Sequence, residues 1–138
     1  MSAKLLRGLL MGAALSAGAG QAMAHHSFAT IWDETKTFVV TGTLKKVDWI
    51  NPHSYITLVV KDPSGKVESY SFEGMPPNML KRMGLSKEMM TSELGNQVTV
   101  IAFPARDGTK ALGFAQSFKF TDGRTIVIVP EGSAAPAR

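Results

Sequence analysis

From Phe38 onward the chain alternates apolar and polar positions in short runs, the period-two signature of half-buried strands. Phe38, Val40, Gly42 and Leu44 share one parity, and the apolar parity then switches to Val47 and Trp49. A switch at Lys45-Lys46 is what a β-bulge produces, because one inserted residue turns every later side chain to the other face. Gly42 permits a sharp bend in the same strand. One long, bent first strand suits a small barrel better than a flat sheet. From His53 to Lys61, Ile56, Leu58 and Val60 alternate with Tyr55, Thr57 and Val59. The turn Asp62-Pro63-Ser64-Gly65 then returns the chain through Val67 to Glu73 as a hairpin.

The period changes after Glu73. Pro76-Pro77-Asn78-Met79-Leu80-Lys81-Arg82-Met83 reads as a short helix with proline in its first turn, basic residues in its last and Gly84 to end it. Ser86 to Met90 allows a further helical turn. Alternation resumes in Gln97 to Phe103, a hairpin turn falls at Asp107-Gly108-Thr109-Lys110, and the return strand runs from Ala111 to Phe120. That strand puts Leu112, Phe114, Phe118 and Phe120 on one face by simple alternation. Asp122-Gly123 leads to a last short strand, 125–129. Three strands, a short helix and two to three strands give a mainly β protein with the element order of a small OB-like barrel. An open β-sandwich with an edge helix has the same order and is the alternative. The β domain spans 38–129. No internal repeat and no second domain is visible.

The ends add context. Residues 1–24 read as an export signal: Lys4 and Arg7, then an apolar run rich in small residues, then Ala22-Met23-Ala24 as a small-x-small cleavage site. That run is too short and too rich in Gly and Ala for a membrane span, which needs about 20 apolar residues. Cleavage after Ala24 leaves 114 residues beginning at His25, with no cysteine to carry a lipid and no stable membrane anchor. The expected location is the periplasm. An oxidising compartment without any cysteine means that no disulfide supports the fold, so the core alone must hold it. The formal charge of +4 falls to +2 once Lys4 and Arg7 are removed, and no basic run remains, so a nucleic-acid partner is not expected. Residues 25–37 lack a clear period and read as an extended arm on the domain, with Phe28 and Ile31 or Trp32 as its anchors. The small-residue tail 130–138 reads as disordered.

Only three histidines are present, and two of them, His25 and His26, fall at the expected new amino terminus. A free α-amine has a reference pKa near 7.7–8.0, so a metal displaces its proton near neutral pH. Amine and imidazole of His25 can then chelate one ion, and the ring of His53 completes a three-nitrogen set, the histidine brace. His26 is an auxiliary donor. All-nitrogen sets of this kind favour Cu(II). His53 follows Asn51-Pro52 and begins a strand, which is a rigid place for a ligand. The plain alternative is a solvated His-His end and a hydrogen-bonded turn histidine, since no His-x-x-x-His or Glu-x-x-His spacing fixes a geometry.

The five methionines of the processed chain, Met75, Met79, Met83, Met89 and Met90, fall within sixteen positions. Thioethers suit Cu(I), but Met79 and Met83 are four apart on a helix and read first as core filler plugging the barrel end. Ser27, Ser54 and Ser117 lie in no nucleophile elbow, Glu73 and Asp48 have no evident acid–base partner, and glycine-rich phosphate loops are missing. Trp49, Asn51 and Tyr55 form a candidate ligand surface on the barrel face.

His25-His26-Ser27-Phe28-Ala29 after an export signal, Gly42-Thr43-Leu44, and Val47-Asp48-Trp49-Ile50-Asn51-Pro52-His53 together carry a likeness. So do Pro76 to Gly84, Val98-Thr99-Val100 and Pro104 to Gly108. The chain resembles a family of small exported Gram-negative bacterial proteins catalogued as domain of unknown function 6152. The resemblance implies a periplasmic β-rich domain. The methionine-rich helix is not a hallmark of that family, which weakens the thioether reading. The expectation is a non-enzymatic binding domain holding copper through His25 and His53. A metal-free OB-like module for a small molecule, an envelope polymer or a protein partner is the alternative.

Overall fold

β1 (Phe38–Asp48) is long enough to serve two neighbours, and the sheet closes because it does. The computed structural model describes residues 28–130. The first half of β1 pairs with β4 (Gln97–Pro104) and the second half with β2 (Tyr55–Lys61), Thr43 being common to both ladders. β2 and β3 (Val67–Glu73) form a hairpin. The end of β3 runs parallel to the start of β5 (Leu112–Phe120), which pairs back onto β4. Five strands thus close in the order β1-β2-β3-β5-β4, and β6 (Thr125–Val127) is added along the later part of β5. This is the expected OB-like barrel rather than an open sandwich.

The bulge in β1 falls where the parity switch put it. Pairing passes from Leu44↔Leu58 to Lys46↔Thr57, leaving Lys45 as the extra residue. Gly42 serves closeness as well as curvature, since a Cβ there would lie 2.8 Å from the Val59 carbonyl oxygen. Leu44, Ile56, Leu58, Phe72, Val98, Val100 and Phe118 are fully buried and fill the barrel.

A second bulge was hidden in the sequence. Pairing passes from Ile101↔Ser117 to Ala102↔Ala115, so Gln116 is extra. Its carbonyl accepts the N–H groups of Ile128 (2.8 Å) and Val129 (3.1 Å), which end the last strand at Val127 rather than at Val129. The bulge also corrects the expected faces of β5. Phe118 and Phe120 pair with the inward Val100 and Val98, whereas Phe114 pairs with Phe103 on the other face of the sheet.

Between β3 and β4 lie α1 (Pro77–Arg82) and α2 (Lys87–Ser92). α1 ends in a Schellman turn: Gly84, at φ 90°, donates to Lys81 O, and Leu85 N–H reaches Leu80 O at 2.9 Å. The two leucines are both fully buried. Ser86 caps α2 by accepting the Met89 N–H. Met75 and Met90 are core residues, and Met79 and Met89 pack against the core. Met83 is not the plug it was expected to be: it caps α1 and is 36% exposed.

Candidate functional site

The turn at residues 62–65 fixes the β2–β3 register. Asp62 accepts the Gly65 and Lys66 N–H groups, on its carbonyl and its carboxylate respectively, and Gly65 takes φ 88°. Counting back along that hairpin sets Tyr55 opposite Glu73. His53 lies two residues before Tyr55, after a cis Asn51–Pro52 peptide, and its Nδ1 is 3.4 Å from Oε1 of Glu73. Both side chains are largely covered, with 18% of the histidine and 12% of the glutamate exposed.

Ser54 fastens this pair. It is fully buried, its hydroxyl donates to Met75 O at 2.9 Å, and its carbonyl accepts the Gly74 N–H at 2.8 Å. Gly74 has no room for a side chain, because a Cβ would sit 2.6 Å from the Ser54 hydroxyl oxygen. The backbone after Glu73 is therefore clamped to the backbone after His53. Glu73, which the sequence offered without an evident partner, is the residue that lies against His53, a position that the hairpin register already implied.

The remaining candidates divide. Tyr55 is half-buried beside Glu73. Trp49 lies just past the end of β1 with its ring packed against the core, and Asn51 is exposed. Asp48 pairs with Lys46 at 2.7 Å, both near the surface. His25 and His26 lie outside the described residues, as do Ser27 and the tail 131–138. Among the described residues no three His, Asp or Glu side chains gather as a metal cage. A depression of about 360 Å³ lined by Phe38, Tyr70, Lys110 and Leu112 shares none of the residues expected as a ligand surface.

The arm meets the barrel on the face that carries this site. Side chains alternate across a strand, and paired residues project to the same side. Phe103, Phe114, Glu73 and Tyr55 are successive register partners on β4, β5, β3 and β2, and so form one transverse row on the outside of the barrel. Phe103 and Phe114 are apolar outward residues that need cover, and the arm supplies it. The Phe28 ring lies edge-on to Phe114 (centroids 4.8 Å) and to Phe103 (6.5 Å), and the Trp32 ring lies 6.0 Å from Phe114.

Phe28 and Trp32 are 4% and 1% exposed, whereas Ile31, the other candidate anchor, is 47% exposed. The reason is local. The described part of the arm, expected to be extended, includes a helical turn over residues 28–31, and Trp32 N–H donates to Phe28 O at 2.9 Å. Positions four apart therefore face the barrel together. Beyond the turn the arm borders β4. Trp32 bridges Ala105, Asp33 N–H donates to Pro104 O, Arg106 N–H donates to Ile31 O, and the Arg106 guanidinium donates to Ala29 O. Hydrogen bonding from the Thr35 hydroxyl, with Lys36 beside it, holds the Asp33 carboxyl at about 2.

The model of a family of unknown function matches residues 13–114, a span that includes His25, His26 and the His53–Glu73 pair. No curated protein and no solved structure matches the chain.

Proposed function

We propose, for a chain that belongs to the family of unknown function DUF6152, that it is an exported, non-enzymatic binding domain. It holds one Cu(II) ion through the amine and ring of His25 and the ring of His53, with His26 as auxiliary donor. The observation that carries this reading is the outer row. Phe28, three residues after His25, packs on Phe114, whose register partner Glu73 touches His53. Adjacent strands are about 4.8 Å apart, and three residues of chain reach about 10 Å. From Phe114 to the strand that follows His53 is two such spacings, about 10 Å, which is comparable with the length of chain between Phe28 and His25. Nitrogen donors from an amine and two imidazoles suit Cu(II) above the other first-row divalent ions. Export follows from the charged start, the short apolar run and the Ala22-Met23-Ala24 site of the leader.

Copper titration of protein that begins at His25 tests the reading. One equivalent should bind, and His53→Ala should weaken binding sharply. One extra residue placed before His25 should do the same, because the chelating amine is then lost. Equal uptake by all three proteins rejects the brace, and uptake by none favours the metal-free module, with Trp49 and Tyr55 the residues to mutate next.

A further inference from the structure

The geometry points to Glu73 as the positioning residue that accepts from the Nδ1–H of His53 and so leaves Nε2 as the donor atom. This inference rests on the copper reading for its purpose, but its structural content stands apart from any metal. An imidazole has two nitrogens, and a neutral ring protonates only one of them, so whichever group accepts from one nitrogen decides which lone pair is left. In this protein the choice is constrained from three sides.

The Nδ1 atom is shut off from solvent, although 18% of the side chain remains exposed, so the exposure belongs to other atoms of the residue. An ion arriving from solution does not reach Nδ1. Facing Nδ1 at 3.4 Å is a carboxylate oxygen, which accepts and cannot donate when ionised. A proton on Nδ1 satisfies that contact, whereas a lone pair there would face a negative charge. The separation is slightly longer than the usual 2.7–3.2 Å of a close hydrogen bond.

The third constraint is the backbone. The Ser54–Met75 and Gly74–Ser54 hydrogen bonds join the residues that directly follow His53 and Glu73 and hold the two backbones in fixed relation. The two chains cannot separate here without breaking that clamp. A carboxylate behind a histidine sets its tautomer and orientation and strengthens the opposite nitrogen as a ligand. Such support is worth on the order of 10–100-fold in metal affinity.

Two measurements test this. The first is nitrogen NMR of the His53 ring in metal-free protein at a pH where the ring is neutral. The Nδ1–H tautomer should dominate in the wild type and in Glu73→Gln, whose amide oxygen still accepts, and should lose its dominance in Glu73→Leu. The second is copper titration of the same three proteins with electron paramagnetic resonance of the bound ion. Glu73→Leu should weaken binding on the order of 10–100-fold and alter the His53 nitrogen coupling, with Glu73→Gln between it and the wild type. A wild-type ring protonated on Nε2, or a Glu73→Leu protein with unchanged tautomer and unchanged affinity, overturns the role of Glu73. Absence of copper uptake by wild type with the Nδ1–H tautomer intact removes the copper reading and leaves the hold of Glu73 on the ring standing.

Discussion

Replacing Gly74 with alanine should destabilise the protein, and doing so after Ser54→Ala should not. The glycine has no left-handed φ, so the backbone itself tolerates alanine. A Gly→Ala change at such a position ordinarily stabilises by about 0.4–1 kcal/mol, because the unfolded chain loses freedom. Here the new Cβ would come within 2.6 Å of the Ser54 hydroxyl oxygen, far inside the 3.4–4 Å of ordinary contact. Its next neighbours, Leu80 Cδ1 and Ser54 O, are both at 3.8 Å and need not move. Relief requires the hydroxyl to swing away from Met75 O, leaving a buried O–H without its 2.9 Å bond. Stranding a group of that kind costs about 1–3 kcal/mol. Ser54→Ala alone gives up one hydrogen bond, about 1 kcal/mol, and clears the space. The second alanine should then be neutral or stabilising, a reversal of sign. Urea unfolding of the four proteins measures the coupling, which should be on the order of 2 kcal/mol. Additivity within about 0.5 kcal/mol would refute the clamp that sets His53 beside Glu73.

Other consequences follow from the arm and its chemistry. Phe28→Ala should cost about 3–5 kcal/mol in thermal or urea unfolding, since the ring is buried on Phe103 and Phe114; a loss below about 1 kcal/mol would mean that the arm does not unfold with the barrel. Asp33 titrates at about 2 when folded, below its ordinary 3.8, so the unfolded chain binds more protons between those values. The stability it contributes is present above about pH 4 and is lost as pH falls toward 2. Asp33→Asn should therefore flatten acid unfolding in that window, and an unchanged acid slope would contradict this. Copper that joins the arm to the barrel should raise the melting temperature, with about 2.7 kcal/mol of stabilisation at a hundredfold excess over Kd. Protein carrying an extra residue before His25 should gain much less, and an equal gain would place the ion elsewhere.

The barrel was legible because its signals are local. Alternation marked the strands, Asp62 to Gly65 and Asp107 to Lys110 marked the turns, and the bulge at Lys45 announced itself by moving the apolar parity from Leu44 to Val47. The bulge at Gln116 left no such mark. Both faces of β5 are buried there, one by the barrel interior and one by the arm, so Phe114 reads as a neighbour of Phe118 until the partner strand is known. For the same reason Phe28 could be named as an anchor but not its partners: Phe103 and Phe114 lie on strands far along the chain, and one helical turn is too short to show a period. His53 stood out as a rare residue type. Glu73 did not, because one glutamate among several strand and surface carboxylates acquires meaning only through register. That register could have been counted from the turn, which sets Tyr55 opposite Glu73 two residues from His53. The exposure of Met83 was the least readable, since the four-residue spacing from Met79 holds only while the helix continues, and Gly84 ends it one residue later.

Paramagnetic broadening by one equivalent of Cu(II), read by NMR on protein that begins at His25, tests the central claim most directly. Resonances of His53, Glu73, Tyr55 and Phe114 should be lost together at one equivalent, while those of the Asp62–Gly65 turn and of Leu94 stay sharp. Broadening that spares His53 and Glu73, or that spreads evenly over the surface, would contradict a copper site built between the leading histidine and the barrel.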